Sequence, residues 1–247
     1  MMVFSGLQKS DLVNYPSLIA CTLWLKGCNL ACPYCHNPLL TGKKIDDGET
    51  GVSEDEFFSF AEKRKAFLEG VVISGGEATL YEELPSFLHR VRERTDLKIK
   101  LDTNLTNPDM LSMMIGSGLL DCVAGDVKAP LDDYSIFLSN DRSSDGFAGE
   151  ISGRIRKSLS LINSSSVSFE LRTTCVKDIL DENDFLRMRD DIVSAFSNRV
   201  PEWHLQLFRN DVTLFPDYKN AIGYSLDELE RLARMLADDR IRVMPRG

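Results

Sequence analysis

Six apolar runs of strand length recur along the chain, and apolar residues with helical spacing lie between them. That alternation constrains the fold more than any other feature, because successive strand–helix–strand units build a parallel sheet covered by helices. Residues 18–25 (LIACTLWL) are continuously apolar, the pattern of a strand buried on both faces. Comparable runs stand at 70–74 (GVVIS), 97–103 (LKIKLDT), 119–128, 167–176 (VSFELRTTCV) and 203–208 (WHLQLF), and residues 241–244 add a short terminal strand. The helices between them have readable starts. Ser53-Glu54-Asp55-Glu56 and Ser225-Leu226-Asp227-Glu228 have the form of capping boxes. Pro85 suits a first helical turn, and Asn107-Pro108 couples a cap to a first-turn proline. Apolar stripes follow at Phe57, Phe60, Ala61, Phe67 and Leu68, at Ile151, Ile155, Leu159 and Ile162, and at Leu229, Leu232, Ala233 and Leu236. Residues 1–17 show little periodicity, and 41–51, 139–149 and 210–224 read as loops. With no low-complexity linker, the chain is expected to be one α/β domain spanning 1–247.

At 247 residues and 43% hydrophobic, the chain can bury a full core. A net charge of -9 and a pI near 4.9 argue against sequence-independent binding to nucleic acid. The N-terminus lacks the basic-then-apolar form of a signal peptide, and the run at 18–25 is too short to span a bilayer. A cytoplasmic location without membrane or nucleic-acid partners is expected. Six cysteines in such a chain read as metal ligands and buried thiols rather than disulfides. Cys21, Cys122 and Cys175 fall in strand-like stretches and read as small buried hydrophobes.

Ligand sites in parallel α/β folds gather at the carboxyl ends of strands. Every suggestive motif here falls at such an end. After the first strand come Cys28, Cys32 and Cys35, spaced C-x3-C-x2-C. Thiolates this close suit zinc or an iron–sulfur cluster, and a closed zinc site normally takes four ligands. Three thiolates on a four-iron cluster leave one iron open to a substrate or cofactor. After the second strand comes Gly75-Gly76-Glu77, where bare glycines permit close approach to backbone and a glutamate can accept from an ammonium. Asp102, Thr103 and Asn104 end the third strand, and Asp126 and Lys128 the fourth. Singly, each reads more readily as capping or solvated strand-end charge than as a ligand contact. Asp102 and Asp126, if close, would need a counter-charge: the sulfonium of a ligand, Lys128 or a monovalent cation. Arg172 lies in the middle of a buried run and requires a partner, and His204 and Gln206 share one strand face.

The cysteine spacing, with Tyr34 just before the third cysteine, resembles the signature of the radical S-adenosylmethionine (SAM) superfamily. The continuation Cys35-His36-Asn37-Pro38 resembles the activating enzymes of glycyl-radical enzymes, above all the activator of anaerobic ribonucleotide reductase. Gly6-Leu7-Gln8-Lys9 and Asn14-Tyr15-Pro16 resemble the lead-in of that branch. The resemblance implies a partial, six-stranded TIM-like (β/α)6 barrel of the radical SAM type, and a [4Fe-4S] cluster on Cys28, Cys32 and Cys35 that cleaves SAM reductively. The radical so formed would take a hydrogen atom from a backbone glycine of the partner, with a flavodoxin- or ferredoxin-type protein as electron donor.

By the same resemblance, Gly75, Gly76 and Glu77 meet the methionyl amino group. Asp102, Thr103, Asn104, Asp126 and Lys128 line the SAM pocket, and Arg172 contacts the SAM carboxylate. His204 or Gln206 touches the ribose, Tyr34 presents an edge to adenine, and His36 belongs to the cofactor site. Two departures stand out. Ala78 follows Glu77 where many members have proline, and Leu105 follows Asn104 where the family has glycine. If that glycine needs a positive φ, the turn here must differ. Two other readings stay open: a radical SAM enzyme acting on a small molecule, RNA or another glycyl-radical enzyme, and a non-enzymatic metal-binding module.

Overall fold

The computed structural model describes residues 1–42, 50–138 and 145–247. Of the loops expected at 41–51 and 139–149, residues 43–49 and 139–144 lie outside the described residues. In chain order the strands are β1 (Val3–Phe4), β2 (Gly6–Asp11), β3 (Ala20–Leu25), β4 (Val52–Ser53), β5 (Gly70–Gly75), β6 (Lys98–Thr103), β7 (Cys122–Asp126), β8 (Ser168–Cys175), β9 (Glu202–Leu207) and β10 (Arg242–Arg246). The helices are α1 (Glu54–Arg64), α2 (Leu84–Arg94), α3 (Pro108–Gly116), α4 (Asp145–Ser164), α5 (Glu182–Ala195) and α6 (Leu226–Leu236). No helix among the described residues is long and apolar enough to cross a membrane.

The chain forms two compact units that interleave in sequence. The first holds Met1–Asn29, Leu39–Thr103 and Asp109–Val123, and the second holds Leu30–Pro38, Asn104–Pro108 and Ala124–Gly247. In the first unit the strand order is β2, β3, β5, β6, joined by the start of β7. β3 pairs β5 and β5 pairs β6 in parallel, whereas β2 runs antiparallel to β3. In the second unit the remainder of β7 is followed by β8, β9 and β10, with β8–β9 and β9–β10 parallel. The architecture is α/β with a mostly parallel sheet.

Local chemistry accounts for the boundaries. Ser53 and Glu56 form a reciprocal capping box that starts α1, and Asp181 with Asp184 and Ser225 with Glu228 do the same for α5 and α6. In α1, Phe57, Phe58 and Ala61 face inward, but the helix stops at Arg64. Phe67, expected on the same stripe, lies past its end and is exposed. The antiparallel edge strand β2 was hidden because GLQKSD is polar and mostly uncovered, as an edge strand can afford to be. It ends in a turn built by buried Asp11, whose Oδ1 accepts the N–H groups of Val13 and Asn14, each at 2.9 Å.

Candidate cofactor site

In the first unit, the segment leading into the cysteine loop leaves β3 beside the end of β5. Gly27 turns it with φ 98°, and its carbonyl accepts the Glu77 N–H at 2.8 Å. Gly76 N–H donates to the Leu25 carbonyl at 2.8 Å. Gly75 has φ 131°, and a Cβ there would fall 2.0 Å from the Leu25 carbonyl oxygen; one on Gly76 would fall 2.2 Å from that of Gly27. Only glycine fits at either position, and the group approaching closely is the chain's own backbone. Glu77 is buried. Its Oε1 accepts from Thr79 N–H at 3.1 Å, Thr79 Oγ1 at 2.6 Å and Thr103 Oγ1 at 2.9 Å, which ties the end of β5 to the end of β6. Asp102 Oδ2 accepts from Ser74 Oγ at 3.0 Å, and its Oδ1 lies 3.8 Å from the ammonium of Lys100, a buried lysine that the sequence reading did not single out. Its signal in LKIKLDT was the i, i+2 spacing that puts Lys100 and Asp102 on one strand face. Cys28 is half-buried.

In the second unit, the remainder of the cysteine loop is closed by one internal hydrogen bond and held by two from outside. Cys35 N–H donates to the Cys32 carbonyl at 3.0 Å, Ala31 N–H to that of Phe137 at 2.7 Å, and Phe215 N–H to that of Pro33 at 3.0 Å. The Tyr34 ring meets Phe137 and Phe208 edge-on at 6.0 and 6.4 Å, and the His36 ring stacks on Phe208 at 5.9 Å. Tyr34 thus packs the loop, and its buried hydroxyl has no hydrogen-bond partner among the described residues. Burial pushes the Tyr34 phenol and the Cys35 thiol up and the His36 imidazole down.

A charge cluster joins the end of β7 to the middle of β8. Asp126 accepts from Arg172 Nε at 2.9 Å and from Lys128 Nζ at 3.0 Å. Burial alone would raise its carboxyl, yet the two cations outweigh it and hold it below the usual range. For Lys128, burial opposes the charge, while Asp126, Cys32 and Tyr34 favour it and push the ammonium well up. Arg172, half-buried, therefore has the partner the sequence required of it. On β9, His204 Nε2 lies 2.8 Å from Glu202 and 3.5 Å from Glu170, and Arg246 reaches Glu170 at 2.7 Å. Burial and then the Arg246 charge hold the His204 imidazole low, against the pull of the glutamates. Gln206 is half-buried, two residues along the same strand.

The turn after Asn104 does not rearrange as expected. Leu105 itself adopts φ 66°, the left-handed conformation that the family's glycine would supply without strain. Asn104 Oδ1 accepts from Thr106 N–H at 3.1 Å and Thr106 Oγ1 at 2.6 Å, closing the turn, and the Leu105 carbonyl accepts from Ser158 Oγ at 2.7 Å. The Leu105 side chain packs over Gly125, where a Cβ would lie only 2.9 Å from Cδ2. Packing thus holds a leucine where the backbone prefers glycine.

Among the described residues, no set of three or more His, Cys, Asp or Glu side chains is gathered closely enough to hold a metal ion. The donor chemistry nevertheless fits an iron–sulfur group. The cysteine loop offers three soft ligands, none in a disulfide, and the half-buried ammonium of Lys128 stands beside Cys32 to balance thiolate charge. The orphaned Tyr34 hydroxyl gives a bound group a polar contact.

Comparison with known proteins bears on the same residues. The model of the radical SAM superfamily matches residues 23–145. The chain is 33% identical over 180 residues to Methanocaldococcus jannaschii MJ1227, whose name gives it provisionally as a glycyl-radical enzyme activating enzyme. That match covers 73% of this chain and 71% of MJ1227. It is 32% identical over 84 residues to the pyruvate formate-lyase-activating enzyme of Streptococcus mutans, covering 33% of this chain and 32% of that one. The solved structure of Streptococcus suis SuiB bound to S-adenosylmethionine superposes with a TM-score of 0.64 at 14% identity. The match takes in 90% of this chain but only 49% of SuiB. That likeness speaks for the fold alone, α/β with a mostly parallel sheet. With cysteine loop, strand-end residues and relatives taken together, the chain belongs to the glycyl-radical enzyme activating enzymes of the radical SAM superfamily.

Proposed function

We propose that this protein activates an anaerobic ribonucleotide reductase, holding a [4Fe-4S] cluster on Cys28, Cys32 and Cys35 and using it to split SAM so that a radical is placed on a backbone glycine of the partner. The observation that carries the reading is the cysteine loop itself, with a half-buried lysine–aspartate–arginine cluster beside Cys32. The continuation Cys35-His36-Asn37-Pro38 supports ribonucleotide reductase as the partner. When bound, the cluster supplies the single electron that breaks the C5′–S bond of SAM, and the released fragment takes the hydrogen atom.

The chain's own residues bind and orient. Lys128 and Arg172, already gathered on Asp126, offer positive charge to the methionyl carboxylate. Glu77, fixed by Thr79 and Thr103, accepts from the methionyl ammonium, and Gly75 and Gly76 let the loop's lead-in pack close to it. Asn104 holds the turn beyond Asp102 and Thr103. Tyr34 and His36 set the loop, and His204 or Gln206 meets the ribose. No side chain is required as a general acid or base. Electrons come from a flavodoxin- or ferredoxin-type donor.

Mixing the reconstituted protein with anaerobic ribonucleotide reductase, SAM and a reductant should give a glycine-centred radical by electron paramagnetic resonance. Deuterium placed on that glycine should appear in 5′-deoxyadenosine. The similarity to the Streptococcus mutans enzyme favours one alternative partner, pyruvate formate-lyase, and a radical on that protein alone would reassign the partner. Deoxyadenosine without label from either would favour a small-molecule or RNA substrate.

A further inference from the structure

We infer that Lys100 is a resident counter-cation for Asp102, standing where a sodium or potassium ion would otherwise be needed, so that Asp102 serves the SAM pocket without a monovalent metal. The inference rests on the proposed placing of Asp102 in that pocket.

Lysine is almost never fully buried unless it is paired, because an ammonium stripped of water must find oxygen partners. Lys100 is 1% exposed. Its ammonium donates to the main-chain carbonyl of Asn14, lies 3.8 Å from Asp102 Oδ1, and sits 6.0 Å from the centre of the Tyr15 ring. A carbonyl and a carboxylate oxygen are the donors a hard metal cation takes, with an aromatic face that also favours positive charge.

The surroundings of this ammonium are fixed in advance. Asn14 is held in place by Asp11, which accepts its backbone N–H and its side-chain amide and is itself pinned by Thr22 Oγ1 at 2.6 Å. Asp102 is pinned on its other oxygen by Ser74. Four strands, β2, β3, β5 and β6, therefore contribute to a rigid oxygen-lined setting for one positive charge. Lys98, one strand period earlier, is exposed and pairs with Asp121, so a lysine on this face is not bound to turn inward for lack of an alternative. A cation tethered through the strand cannot dissociate, whereas a metal ion could.

The test uses anaerobically reconstituted protein with SAM affinity read by calorimetry at constant ionic strength. Wild type should bind SAM equally well whether the salt is tetramethylammonium, sodium or potassium chloride. Lys100→Met should bind roughly 10- to 100-fold more weakly in tetramethylammonium, the loss of one charge-assisted contact, and recover when potassium or sodium is added. Thallium-205 magnetic resonance, which needs no SAM, should detect a bound monovalent ion in Lys100→Met and not in wild type. Adding Asp102→Asn to the variant should abolish it. Wild-type binding that rises with potassium, or Lys100→Met with unchanged affinity in every salt, would overturn the proposal and leave Lys100 a tie for the Asn14 turn. Should Lys100→Met fail to fold, Lys100→Gln carries the same comparison, and the wild-type salt series stands alone as a test. Absence of SAM binding in wild type would count against the proposed function, while the thallium signal would still decide the counter-cation.

Discussion

Leu105 shows how one residue can be wrong for its backbone and right for its neighbours. Its φ of 66° costs about 1–2 kcal/mol relative to glycine, and its side chain fills the space over Gly125. Replacing a buried leucine by something small typically costs about 2–5 kcal/mol, and glycine adds unfolded-chain entropy on top. Leu105→Gly should therefore lower stability by about 2 kcal/mol, read from the urea midpoint, despite relieving the turn. A more stable variant would show that backbone strain dominates. The sequence flagged this position as a departure but could not reveal its resolution, because the gap over Gly125 exists only after folding. Lys100 was opaque for the same reason. It sits in a run that reads plainly as a strand, and its carbonyl partner on Asn14 is supplied by a distant turn.

Among the elements, those specified by local chemistry were legible. The capping boxes of α1 and α6, the prolines of α2 and α3 and the apolar runs of β3 and β5 each carry their own instruction, whereas the Asp181–Asp184 box of α5 went unread. The edge strand β2 does not, since its identity comes from pairing with β3. At the start of α6, the Glu228 carboxyl is lowered to about 2 by the Lys177 ammonium and the Ser225 cap. Because the folded value lies below the ordinary 4.5, this stabilisation is complete above pH 4.5 and fades as pH falls toward about 2. Urea midpoints measured across that window should decline less in Glu228→Gln than in wild type. Ser225→Ala should cost about 1 kcal/mol at neutral pH.

For the molecule as a whole, the alternation of runs was enough to imply an α/β fold, and the cysteine loop was enough to point to the family, because each motif is compact in sequence. The charge cluster on Asp126 was only partly legible, for it draws Arg172 from a strand far along the chain. Reconstituted protein should hold about four irons per chain. Cys28→Ala, Cys32→Ala and Cys35→Ala should lose them, whereas Cys21→Ala and Cys175→Ala, which alter buried strand thiols, and Cys122→Ala should keep them. Iron and sulfide analysis checks both sets, and stoichiometric zinc after anaerobic purification would overturn the assignment.

The hydrogen bond from Phe215 to Pro33 matters in time as well as in space. A main-chain hydrogen held this way trades with solvent deuterium only when the two segments part. One residue far down the chain therefore keeps a clock for the opening of the loop that carries the cysteines.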